Sequence, residues 1–173
     1  MMKQKMQSNR SRTGKSEHAS AGVIARSARD YALSVLERSD RTEQELRRKL
    51  HDRGYEQEEI EKTIAFLKEY YYVDDVAYAG KYARACSSRK SIRQIRFDLE
   101  RKGVDRSLID TALEETEVDE EAQIRAFLLK KGFQPGERMD TAVCRKLTGS
   151  LSRKGFSYEA IRNVMVRMCE EFY

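Results

Sequence analysis

Ile95-Arg96-Phe97-Asp98-Leu99-Glu100-Arg101-Lys102-Gly103-Val104 is the stretch on which the fold turns. Ile95 and Leu99, four apart, lie on one face of a helix. Gly103 then stops it, because a left-handed backbone at the C′ position costs glycine little. Lys102 sits in the last turn, where a cation meets the negative end of the helix dipole. Ile109 and Leu113 place a second apolar stripe after the stop.

The same pattern occurs twice more. Leu46, Leu50, Arg53-Gly54-Tyr55, Ile60 and Ile64 match it without a gap upstream. Leu147, Leu151, Lys154-Gly155-Phe156, Ile161 and Met165 match it downstream. The glycines lie 49 and 52 residues apart. A fixed spacing of this size is the mark of a repeat array. Thr42 and Ser91 are suited to cap the helix before the glycine, with Glu45 completing a capping box after Thr42. Asp105 and Ser157 suit the helix after it, and Glu56 is a poorer cap at the equivalent place.

An earlier helix is expected ahead of each pair, over Ser27–Arg38, Asp75–Ser87 and Asp119–Lys131. The chain then reads as all-α: nine helices in three tandem three-helix repeats, stacked in an elongated, curved, solenoid-like arrangement. The expected boundaries are a basic, disordered tail over 1–26 and repeats over 27–73, 74–117 and 118–173. Single Pro135 agrees with long helices. The segment Gly132–Gly136 is the one long turn-forming stretch and falls inside the third repeat.

The 173 residues are 36% charged and 39% hydrophobic, the balance of a globular chain. No run of about 18 apolar residues is present, so no membrane span is expected. No apolar stretch follows the basic residues at the start, so no secretory signal is expected and the location reads as cytoplasmic. Lys3, Lys5, Arg10, Arg12, Lys15 and Arg26 against Glu17 place the entire net charge of +5 in the first 26 residues. Such a tail either touches an anionic partner or keeps the protein soluble. Cys86, Cys144 and Cys169 share no metal-ligand spacing and read as buried, reduced thiols.

Enzymatic chemistry finds no support. Neither phosphate-loop nor dinucleotide-binding glycine motifs occur. His51 reads as an exposed helix residue, and the pair Asp74-Asp75 as a helix N-terminus favoured by the dipole. No cofactor or metal is expected.

Charge is segregated along the body. Residues 81–102 set eight basic residues against Asp98 and Glu100, net +6, and residues 125–154 set eight against Glu137 and Asp140, also net +6. Residues 103–124 carry net −7 and residues 56–75 net −5. Bands of this kind suit nucleic-acid phosphates or an acidic protein surface, and equally arise as solvated helix faces. Arg89, Lys90, Arg93 and Arg96 are the candidates in the first basic band, with Lys146 and Arg153 in the second. The aromatic group Tyr70, Tyr71, Tyr72, Tyr78 and Tyr82 reads as a seam between the first two repeats rather than as a base-stacking platform.

The stretch Tyr72-Val73-Asp74-Asp75-Val76-Ala77-Tyr78-Ala79, followed by Ser88-Arg89-Lys90 and by Leu99 through Val104, resembles the bacterial RecX family of recombination regulators. The resemblance covers residues 27–173 and implies three tandem helical repeats. It further implies a protein that binds the groove of the RecA–single-stranded DNA filament and suppresses its ATPase and strand exchange. The implied partners are the RecA filament and single-stranded DNA, with double-stranded DNA weaker, and the implied state is a monomer. The family offers no catalytic residues to carry over. A helix-turn-helix transcriptional regulator is the competing reading, because paired helices joined by a glycine turn resemble that motif. A helical scaffold with no role on DNA is the third.

Overall fold

A computed structural model of the chain describes residues 26–136 and 140–170. Among them lie nine α-helices and no strand. In chain order they are α1 (Ala28–Leu36), α2 (Glu43–Asp52), α3 (Gln57–Glu69), α4 (Asp75–Cys86), α5 (Ile92–Arg101), α6 (Arg106–Glu114), α7 (Glu120–Lys130), α8 (Thr141–Arg153) and α9 (Tyr158–Glu170). The expected tail falls almost wholly outside the described residues.

Each successive trio of helices closes on a core of its own. Ala28, Ala32, Leu46, Leu50, Ile60, Ile64 and Leu67 form the first, with Val73 as its edge. Ala79, Ala83, Ile95, Leu99, Ile109 and Leu113 form the second, and Ile124, Leu128, Leu147, Leu151, Ile161 and Met168 the third. The apolar positions aligned by the glycines reach the cores, except that Met165 is half-buried against the third while Val164 and Met168 of the same helix are buried. Tyr55, Val104 and Phe156, directly after the glycines, are buried in the same way.

The caps follow side-chain chemistry. Thr42 forms a capping box with Glu45, Ser91 accepts from the Gln94 amide, and Glu56 makes no side-chain capping bond. The α9 start is capped by Ser157, whose Oγ accepts from the Ala160 amide at 3.1 Å.

The units are joined through helix ends, and the two joints are alike. The Thr42 hydroxyl donates to the carbonyl of Lys102 at 2.6 Å, and the Ser91 hydroxyl to that of Lys154 at 2.9 Å. One residue thus caps its own helix and ties the end of α5 or α8 in the next unit. Both hydroxyl residues are fully buried. The adjacent amides complete each joint: Glu43 N–H donates to Asp75 at 2.9 Å, and Ile92 N–H to Glu120 at 2.8 Å. Close approach explains two of the repeat glycines. A Cβ on Gly103 would lie 2.4 Å from Gln44 Cβ, and one on Gly155 2.5 Å from Ser91 Oγ. A Cβ on Gly54 would meet nothing within 4 Å among the described residues.

Removing a joint hydroxyl leaves a helix start uncapped and a part-buried carbonyl without its partner. Thr42→Ala and Ser91→Ala are each expected to cost about 1–3 kcal/mol. Thr42→Ser, which keeps the donor, should cost much less. Thermal melts of the three variants check this, and equal losses for Thr42→Ala and Thr42→Ser would remove the hydroxyl from the account.

The tyrosine seam is not formed as expected. Tyr70, Tyr71 and Tyr72 are 58%, 85% and 53% exposed. Tyr71 takes the left-handed turn after α3 (φ 57°), the place a glycine fills after α2, α5, α7 and α8. That turn aims the three rings outward while Val73 enters the core. Tyr78 and Tyr82 are half-buried against the second core. Cys86 is buried as expected, whereas Cys144 and Cys169 are half-buried rather than buried.

Candidate functional site

The second joint brings together basic residues that are far apart in sequence. Ser91, tied to the Lys154 carbonyl, holds the start of α5 against the end of α8. Arg93 packs so near Gly155 that its Cβ stands 3.4 Å from where a glycine Cβ would be. The two basic bands therefore meet, with Arg89 and Arg93 on one side and Arg153 and Lys154 on the other.

The six candidate residues divide by what they already hold. Arg93 and Lys146 are exposed, and neither is ion-paired with another described residue. Arg89 donates to the Ala85 carbonyl at 3.1 Å in its own chain turn, and Arg153 to the Ser150 hydroxyl at 3.2 Å. Both keep exposed guanidinium groups. Lys146 stands seven residues before Arg153, two turns back along α8.

Lys90 and Arg96 are engaged internally. Lys90 Nζ donates to Asp98 at 2.7 Å and to the Tyr82 hydroxyl at 2.8 Å, over the Tyr82 ring. Tyr82 itself donates to Asp98 at 3.1 Å, as does the Gln94 amide. The bonds to Asp98 and Tyr82 raise the Lys90 pKa well above the usual lysine range. Burial pushes the Asp98 carboxyl up, but the bonds from Lys90, Tyr82 and Gln94 outweigh it and hold it below its ordinary value. Arg96 is ion-paired with Asp110 of α6. These two cations brace α5 within the second unit.

Sequence reasoning missed the polar residues that make the joints. Gln123 donates to the Ser87 carbonyl at 2.7 Å and bridges α7 to the end of α4. Lys102 reaches back to Glu45 at 2.9 Å. Burial pushes Glu45 up, and its bonds to Lys102 and the Thr42 amide reverse that and lower it. A visible signal did exist: hydroxyl residues in the same register, 49 apart, at Thr42 and Ser91.

The described residues contain no group of three or more His, Cys, Asp or Glu placed to hold a metal ion. No described helix is long and apolar enough to cross a membrane.

Residues 28–67 match the first three-helix domain of RecX, and residues 74–113 match the second. The regulatory protein RecX of Clostridium botulinum (strain Alaska E43 / Type E3) is 33% identical over 149 residues, spanning 84% of this chain and 70% of the relative. The chain belongs to the RecX family. The RecX regulatory protein of another C. botulinum strain, Eklund 17B, is 31% identical over 79% of this chain and 66% of its own length. That of Cronobacter sakazakii is 40% identical over a shorter span, 56% of this chain and 65% of the relative. A crystal structure of regulatory protein RecX superposes with a TM-score of 0.69 at 26% identity, covering 80% of this chain and 70% of that one. RecX from Lactobacillus salivarius superposes with a TM-score of 0.67 at 23% identity, over 82% of this chain and 94% of that one, and so shares the fold. The all-helical repeat architecture is thus that of RecX, and a regulatory role comes with the family.

Proposed function

We propose that this chain binds the groove of the RecA–single-stranded DNA filament and suppresses its ATPase and strand exchange. The observation that carries the reading is the repeated joint. Two identical hydroxyl-to-carbonyl ties hold three closed units at nearly constant sequence spacing. A body built by repetition suits a partner built by repetition, because each unit can meet an equivalent subunit. Arg89, Arg93, Lys146 and Arg153 keep exposed cations near the second joint, available to an acidic RecA face or to the enclosed phosphates. The transcription-factor alternative is disfavoured by charge. A recognition helix reads bases with its first residues, and α3 begins Gln57-Glu58-Glu59.

The test is RecA ATPase on single-stranded DNA with increasing amounts of this protein. The rate should fall as the protein approaches stoichiometry with the filament. The protein alone should show neither ATPase nor nuclease activity. An unchanged RecA rate would reject the proposal, and turnover that follows the monomer peak through several columns would reject its non-enzymatic part.

A further inference from the structure

The internal polar network of the second unit has a counterpart in the first in which one charge is inverted. Alignment on Gly54 and Gly103 places Arg41 against Lys90, Lys49 against Asp98 and Arg53 against Lys102. The buried alanine pairs, Ala28 with Ala32 and Ala79 with Ala83, place Tyr31 against Tyr82. In the second unit the cation, the tyrosine and the carboxylate satisfy one another: Lys90 reaches Asp98 at 2.7 Å. In the first unit the carboxylate position is occupied by a third cation.

The consequence is a cleft of about 440 Å3 whose charged lining is Arg26, Arg38, Arg41, Lys49 and Arg53. No carboxylate lines it. The Arg41 Nε is buried and has no hydrogen-bond partner. Arg53 lies over the face of Tyr31, 5.3 Å from its centroid, and Tyr55 forms part of the wall. The cleft also stands beside Gly54, the one of the three aligned glycines whose added Cβ would meet no described neighbour within 4 Å. In the second unit the equivalent of Arg53 is neutralised across the joint, Lys102 with Glu45. Among the described residues Arg53 has no such ion pair.

We infer that this cleft binds phosphate groups of a single-stranded nucleic-acid backbone, which supply the negative charge that Asp98 supplies in the second unit. Five convergent cations exceed what one carboxylate satisfies. Guanidinium forks match phosphate oxygens in pairs, and a strand delivers phosphates at short, regular intervals. The tyrosines beside the cations give a neighbouring base or sugar an apolar surface. This site deepens the filament reading but acts on bare DNA, so its test contains no RecA and can fail or succeed independently.

The experiment is fluorescence anisotropy of a labelled oligo-dT with the full chain, titrated in salt. Lys49→Asp rebuilds the second unit's arrangement and gives Arg41 an internal partner. It should keep or raise the melting temperature while removing two phosphate contacts. The slope of log affinity against log salt should then flatten by about 1.4, at roughly 0.7 for each contact. The double variant Arg38→Gln with Arg53→Gln removes two contacts without creating a pair, and decides the matter if the first variant fails to fold. Arg162→Asp, exposed on α9, changes the net charge as Lys49→Asp does and should leave the slope near the parent value. The basic tail is present in every arm, so differences report on the cleft. Parent-like slopes in both cleft variants, or an equal loss in Arg162→Asp, would overturn the site. Displacement of the oligonucleotide by ATP or inorganic phosphate at equal phosphate concentration and matched ionic strength would overturn its assignment to a strand.

Discussion

Gly103→Ala lowers stability by about 2–4 kcal/mol, whereas Gly54→Ala lowers it by about 1 kcal/mol. Both glycines hold a left-handed backbone, with φ of 82° and 88°. An L side chain there costs about 1–2 kcal/mol, offset in part because alanine restricts the unfolded chain. Only Gly103 faces a neighbour. A new Cβ would enter the space held by Gln44 Cβ, at 2.4 Å, and that atom cannot move without the start of α2. Overpacking adds about 1–3 kcal/mol and pushes Thr42 away from the Lys102 carbonyl. Gly103→Val, with a branched Cβ, should cost still more. Thermal melts give the totals, and hydrogen exchange at the Glu43 amide reports on the joint. Equal losses in the two alanine variants would show that the joint does not constrain the glycine.

Reversal of Lys90 behaves differently from reversal of the exposed arginines. Lys90→Glu sets a carboxylate against Asp98, whose side chain is 15% exposed. Loss of the partner of a fully buried charge costs about 3–5 kcal/mol, and partial exposure of Lys90 reduces this to about 2–3 kcal/mol. The effect carries a pH signature. The folded Asp98 pKa lies below its ordinary value of about 3.9. Its contribution is therefore complete above the ordinary carboxyl range and is lost as pH falls through the depressed value. In Lys90→Glu the gap from the parent protein should narrow on acidification, because protonation relieves the opposed carboxylates. A pH-independent gap would mean that Asp98 is not the cause. By contrast, glutamate at Arg89, Arg93, Lys146 and Arg153 together should leave the fold intact and relieve RecA ATPase suppression. Full suppression by that folded variant would move the contact surface elsewhere.

The repeat and most helix limits were legible because they rest on local chemistry. Apolar spacing, a cation before a glycine, and Ser, Thr or Asp at helix starts act within a turn or two of chain. What was not legible depends on one unit meeting another. Thr42 and Ser91 read as caps, and nothing local shows that their hydroxyl protons go to carbonyls about 60 residues on. Lys90 read as a surface cation because its partner lies eight residues away, outside the spacing of helix pairs. Ring size alone makes the tyrosine triplet resemble a seam, and the turn at Tyr71 that aims the rings outward has no glycine to signal it. The first-unit cleft escaped notice because Arg26, Arg38, Arg41, Lys49 and Arg53 are interspersed with acids, so no band shows.

The joint also sets a grammar for how such a chain changes length. Each unit closes its own core, and its chief obligations to a neighbour are a hydroxyl at one end and a bare glycine at the other, with amide bonds and ion pairs beside them. Duplication or loss of one whole unit preserves both obligations. A single-residue insertion within α5 does not, because it turns Gly103 about 100° away from Gln44. Length change in such a chain is therefore expected in whole modules or in the loops between helices, while the helices that carry the joint resist insertion.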